Sequence, residues 1–177
     1  MRRFAFSLTI AAVVLPVALC AQDPTPQATP AAPACLIATT LEQLPQAIDE
    51  AVSGPAGKDR TCMRQILLPE ARLIPVAIAA DGSATPHVLT VEGWIEAVRK
   101  RGDMVFYERQ VKIKSEVYGH VAHLWSTYEV RPTPDGKATV RGINSIQAVY
   151  DGKQWRVMEI LWQAETAAEP VPEKYLP

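Results

Sequence analysis

Apolar and polar positions recur with two different periods along this chain, and the period changes near residue 103. Behind Thr40, a residue type suited to a helix N-cap, Leu41, Leu44, Ala47, Ile48 and Ala51 follow at helical spacing. Gly54, Pro55 and Gly57 end that helix. A second short helix is predicted over residues 62–68, stopped by Pro69. "ARLIPVAIAADGS" reads as a strand that runs into a turn at Asp81-Gly82. Thr90 then caps a third helix, with Val91, Trp94, Ile95 and Val98 on one face and Gly102 at its end. From there the period is two. "VFYERQVKIKSEVYG" sets Val111, Ile113 and Val117 against Lys112, Lys114 and Glu116, and "HVAHLWSTYEVR", "KATVRGINSIQAVY" and "KQWRVMEILWQAE" continue the pattern. The breaks between them, "YG", "PDG" and "DG", are hairpin turns, so these strands should form an antiparallel meander.

Turn lengths imply a register. A two-residue Asp151-Gly152 turn places Asn144 opposite Glu159. A three-residue Pro134-Asp135-Gly136 turn places Ser126 opposite Asn144, and a Tyr118-Gly119 turn places Val111 opposite Ser126. One row across the sheet then reads Val111, Ser126, Asn144, Glu159. Ile113, Leu124, Ile146 and Val157 flank it on one side, and Arg109, Tyr128, Gly142 and Leu161 on the other. The opposite face carries Trp125, Ile143, Met158, Ile160 and Trp162, an apolar surface large enough to call for a partner subunit.

The N-terminus fits neither period. Arg2 and Arg3 precede "FAFSLTIAAVVLPVALCA", which is uncharged, short for a membrane span and small at its end. Residues 1–21 read as a secretory signal peptide, and hence an exported, periplasmic or secreted protein with no membrane span after cleavage. Leu19 stands where an acylation pattern at Cys20 wants a small residue, which argues against a lipid anchor. Residues 22–38, opening with "QDPTPQATPAAPA", read as a Pro/Ala-rich flexible leader, and residues 39–177 as the folded domain. Export would place Cys35 and Cys62 in an oxidising compartment, where the two can pair.

Composition narrows the function further. The chain of 177 residues has 18 Lys+Arg against 19 Asp+Glu, and no basic stripe suited to nucleic acid. Its three histidines, His87, His120 and His123, fall on separate elements, and neither cysteine has a ligand at metal spacing, so no metal or cofactor is expected.

Helices followed by a long antiparallel meander are the order of the cone-shaped α+β fold of the nuclear transport factor 2-like superfamily. "AVSGPAGKDRTCMRQILLPEARLIP" resembles the helix and first strand of its SnoaL-like bacterial members. "VAHLWSTYEVR", "RGINSIQ", "DGKQWRVMEILWQAE" and "VPEKYL" are similar to their sheet. The resemblance spans residues 39–176. It implies a conical pocket between helices and sheet, and a homodimer through the outer sheet face. The superfamily includes isomerases, cyclases and dehydratases as well as accessory subunits and exported members without assigned activity.

Two readings of the polar row follow. In one, Glu159 on an apolar face has a raised pKa and moves protons, with Tyr128 donating to a developing oxyanion and Asn144 orienting the acid. In the other, Asn144, Ser126 and Glu159 satisfy one another, as buried polar groups must, and the cone holds a small apolar ligand without catalysis. Trp94, Arg109, Ser126 and Gln163 would line such a pocket. A protein-binding role for the Trp-rich outer face is a third possibility.

Overall fold

The computed structural model describes residues 34–177; the expectations for the signal peptide, Cys20 and most of the leader lie outside the described residues. Three helices, α1 (Leu44–Val52), α2 (Thr61–Ile66) and α3 (Val91–Arg99), lie on a sheet of eight strands. The strands are β1 (Gly54–Pro55), β2 (Leu67–Ile78), β3 (Ala84–Pro86), β4 (Leu89–Thr90), β5 (Val105–Tyr118), β6 (Val121–Arg131), β7 (Val140–Tyr150) and β8 (Trp155–Ala164). Their order across the sheet is β1-β5-β6-β7-β8-β2-β3, with β4 beside β2. The meander from β5 to β8 is antiparallel, as the turns indicate. One pairing differs from that expectation. β2 joins β8 in parallel, so the sheet is mixed. Pro69 lies within β2 rather than ending a helix, because α2 has already stopped at Ile66.

The helices form where the periodicity places them. The Gln43 side chain accepts from the Thr40 N–H at 3.1 Å ahead of α1, and Thr90 Oγ1 accepts from the Gly93 N–H at 3.0 Å at the start of α3. Each satisfies a donor that the first helical turn leaves free. Leu44, Ala47, Ile48 and Ala51 are buried beneath α1, and Val91, Trp94 and Val98 beneath α3. Fully burying a Leu or Ile side chain contributes about 1.5–3 kcal/mol, so these stripes hold the helices on the sheet. Leu124, Ile146 and Val157 meet them from below.

Cys35 and Cys62 form a disulfide that ties the start of this unit to α2. Packing begins ahead of Thr39: Ala38 is buried, and its carbonyl accepts from the Trp155 N–H at 2.8 Å. At the other end residues 165–177 fold back over the outer side of the sheet. Tyr175 packs on Trp125 with ring centroids 6.0 Å apart, its carbonyl accepts from Thr127 Oγ1 at 2.6 Å, and Val171 is buried. Part of the apolar outer face is thus covered by the chain itself.

Candidate functional site

Two β-bulges decide which side chains line the space between helices and sheet. In β5 the extra residue is Val111: Gln110 pairs with Tyr128, yet Lys112 pairs with Thr127. A bulge reverses which face each later residue takes. Phe106, Glu108 and Gln110 therefore share the helix side with Tyr128 and Ser126. In β8 the shift falls at Met158, where Val157 pairs with Ala148 and Glu159 with Gln147. Trp155 and Val157 point to the core before it, and Ile160 and Trp162 after it.

Several sequence expectations change as a result. Ser126 does lie opposite Asn144, and both are buried on the helix side with Tyr128. The residue opposite Asn144 on β8 is Trp162, not Glu159. Glu159 sits on the outer side beside Gln147, because the loop after Tyr150 spans residues 151–154, two longer than expected, and the bulge then adds one more position. Ile113, not Val111, faces Ser126. Arg109 is turned outward opposite Glu129 by the Val111 bulge. Gln163 is also on the outer side, its Nε2 donating to Glu169 Oε2 at 2.6 Å. Ile160 and Trp162, expected outside, are inside; Trp125 and Ile143 remain outside, and Leu161, expected inside, joins them.

Glu108 and Gln110 take the place expected of Glu159 and Arg109. The Gln110 side chain is the hub. Its Nε2 donates to Asp49 Oδ1 at 3.1 Å and to Glu108 Oε1 at 2.9 Å, and its Oε1 accepts from Ser126 Oγ at 2.5 Å and from Asn144 Nδ2 at 3.2 Å. Both donors and both acceptor positions of the amide are used. Asn144 Nδ2 also donates to Glu108 Oε1 at 3.2 Å. Helix α1 and the residue that caps its end complete the cluster: Asp49 Oδ2 accepts the Gln110 backbone N–H at 3.0 Å, and Ser53 Oγ accepts that of Glu108 at 2.8 Å.

Burial shifts the acids upward. It pushes the Asp49 carboxyl up to about 7 against the hydrogen bonds from Gln110, with the charge of Glu108 adding to the rise. Burial also raises Glu108 above its ordinary value, partly offset by the bonds from Asn144 and Gln110. The Tyr128 hydroxyl is raised by burial and by the nearby Glu108 and Glu165, so it stays protonated and available as a donor. Gly142 makes room for that hydroxyl. A Cβ there would lie 2.7 Å from Tyr128 Oη and 2.2 Å from the Gln163 carbonyl oxygen.

Above the cluster opens a cavity of about 480 Å³, walled by Trp94, Phe106, Tyr128, Val130 and Trp162, with exposed Arg101, Met104, Pro132 and Val140 at its rim and Glu108 on its wall. A smaller space of about 40 Å³ among Ile48, Met63, Leu73, Asn144 and Ile160 is bordered by the same Trp94, Glu108 and Trp162. Among the described residues no group of three or more His, Cys, Asp or Glu is placed to hold a metal ion. The arrangement offers a largely apolar container with a carboxyl and a phenol on its wall and with Arg101 and Arg131 also in its lining.

Glu108 left a signal in the sequence. Phe106 is apolar at an even position, but Val105, Tyr107 and Val111 are apolar at odd ones like Ile113 and Val117, so the signal is faint and alternation alone does not mark the bulge.

No family model matches the sequence, and no curated protein is similar to it in sequence. Solved structures are similar to it in shape. A candidate calcium/calmodulin dependent protein kinase II association domain from Xanthomonas campestris aligns with a TM-score of 0.54 at 12% identity, covering 72% of this chain and 86% of that one. A protein of unknown function with a cystatin-like fold from Nostoc punctiforme aligns at 0.50 and 9% identity, covering 71% and 86%. A nuclear transport factor 2-like protein of unknown function from Silicibacter pomeroyi aligns at 0.48 and 14%, covering 71% and 92%. Helices laid on a large curved mixed sheet, with a cavity between the layers, give this chain the α+β cone of the cystatin-like fold.

Proposed function

We propose that this domain binds a small, largely apolar molecule with one hydrogen-bonding end, and that it does so outside the cytoplasm. The observation that carries the reading is the cavity of about 480 Å³, which has aromatic walls and a Glu108–Tyr128 pair at one side. A volume of that order suits a compact organic ligand, and few polar groups among many apolar ones are the usual make-up of such sites. The signal-peptide character of residues 1–21 supports the export part of the proposal. The test is native mass spectrometry of the protein from its source compartment, followed by thermal-shift screening of apolar compounds bearing one hydroxyl, carbonyl or carboxyl. A retained molecule or a stabilising compound is expected, and Val130→Trp, which fills the cavity, should remove the effect while the protein stays folded. No binder in either assay, or binding untouched by Val130→Trp, overturns the reading.

A second reading, proton transfer, rests on the raised carboxyl of Glu108 beside the Tyr128 hydroxyl. A buried carboxyl whose pKa is raised is a suitable general acid or base. Glu108→Gln keeps shape and hydrogen bonds while removing the titration. Loss of turnover with retained binding would favour catalysis. Full activity in that variant would sink it.

A further inference from the structure

Strand β5 runs along an edge of the sheet, and its two halves meet solvent differently. At Val105 and Phe106 it pairs with β1. The next outward N–H groups, of Glu108 and Gln110, are taken by Ser53 and Asp49. Beyond the Val111 bulge no described element pairs with the outer edge. The neighbouring ladder fixes which backbone groups point outward there. The Tyr150 N–H donates to the His120 carbonyl at 2.8 Å, so His120, Ala122 and Leu124 bond toward β7, and Val121, His123 and Trp125 toward β5. The residues opposite those three, Tyr118, Glu116 and Lys114, are thereby engaged. Ile113, Ser115 and Val117 present their N–H and C=O groups to solvent. Apolar side chains surround them: Ile113 is 38% exposed, Val117 55% and Tyr118 87%.

An uncovered edge with apolar flanks is a template for another strand. We propose that two copies of this chain join edge to edge through β5, antiparallel, about a two-fold axis at Ser115. In that register Lys114 of each copy faces Glu116 of the other, Ile113 faces Val117, Lys112 faces Tyr118, and Ser115 meets its own counterpart. The residues with free backbone groups fall opposite one another, so the ladder forms without adjustment. Centring the axis on Lys114 would set two ammonium groups face to face, and centring it on Glu116 two carboxylates. Either shift would also place Ser115 against an apolar residue. Lysine on an edge ordinarily repels a second strand; this symmetry converts it into two ion pairs. The pairing extends the sheet across both copies and leaves the cavity open.

The test is sedimentation and native mass spectrometry of the full chain across a concentration series. A dimer is expected. Lys114→Glu sets carboxylates against each other and should weaken it by about tenfold or more. The exchange Lys114→Glu with Glu116→Lys should restore it. Ser115→Pro removes an outward N–H without touching the β5–β6 ladder and should give a folded monomer. A monomeric wild type, a dimer indifferent to Lys114→Glu and Ser115→Pro, or failure of the double exchange to restore pairing would each overturn the proposal.

Discussion

The two halves of β5 share one backbone and one edge of the sheet, yet they have little else in common. From Val105 to Gln110 the strand lies under α1 and beside β1, its outward N–H groups are occupied, and its inward side chains are Phe106, Glu108 and Gln110. From Lys112 to Tyr118 nothing described covers it, and all seven of those residues are exposed. One extra residue, Val111, divides them. The lesson is that a bulge does more than bend a strand. It sends a glutamate into the cone on one side and frees a self-complementary edge on the other.

The contrast can be broken most severely at Phe106. Phe106→Ala should cost about 3–5 kcal/mol, the usual penalty for emptying an aromatic core site, whereas Val117→Ala in dilute protein should cost less than about 0.5 kcal/mol. Urea midpoints for the two variants measure the difference, and similar losses would mean that the halves are not distinct. Gln110→Ala comes next. It strips a partner from Asp49, Glu108, Ser126 and Asn144 together, for about 2–3 kcal/mol at the cost of an unmade buried hydrogen bond. A neutral result would show that water replaces the amide at no cost.

A third test sharpens the comparison through pH. Asp49 has a folded-state pKa of about 7 against an ordinary 3.8. Across that window the folded chain keeps a proton that the unfolded chain releases. The contribution of Asp49 is therefore fully present below the window and lost as pH rises through it. Glu108, raised for the same reason, acts with the same sign. Stability measured from about pH 4 to about pH 7.5 should fall, and Asp49→Asn should flatten the slope. A wild-type slope unchanged in that variant would remove Asp49 from the account.

Much of the fold was legible because it rests on local rules. The capped helices at Thr40 and Thr90 and the strand order of the meander follow from spacing and turn residues alone. So does the placement of Ser126 opposite Asn144, since the span between β6 and β7 gave the right register. The candidate site was legible in part. Tyr128, Asn144, Ser126 and Trp94 fall where the pattern puts them, but Glu159, Arg109 and Gln163 do not. Each of those three depends on a strand whose side-chain parity changes midway, and a single residue of slippage exchanges the faces.

By itself, then, the sequence determined the elements, their caps and the α+β class, because periodicity and turn chemistry act over a few residues. Tertiary structure decided the rest. The bulges at Val111 and Met158 arise where strands of unequal demand are fitted to one curved sheet, and they select Glu108 over Glu159. The parallel docking of β2 on β8, the closing of Gln110 onto Asp49 and the return of Tyr175 over Trp125 join residues far apart in the chain. No local pattern encodes such partners, since each is chosen by what remains to be buried or hydrogen-bonded once the layers have met.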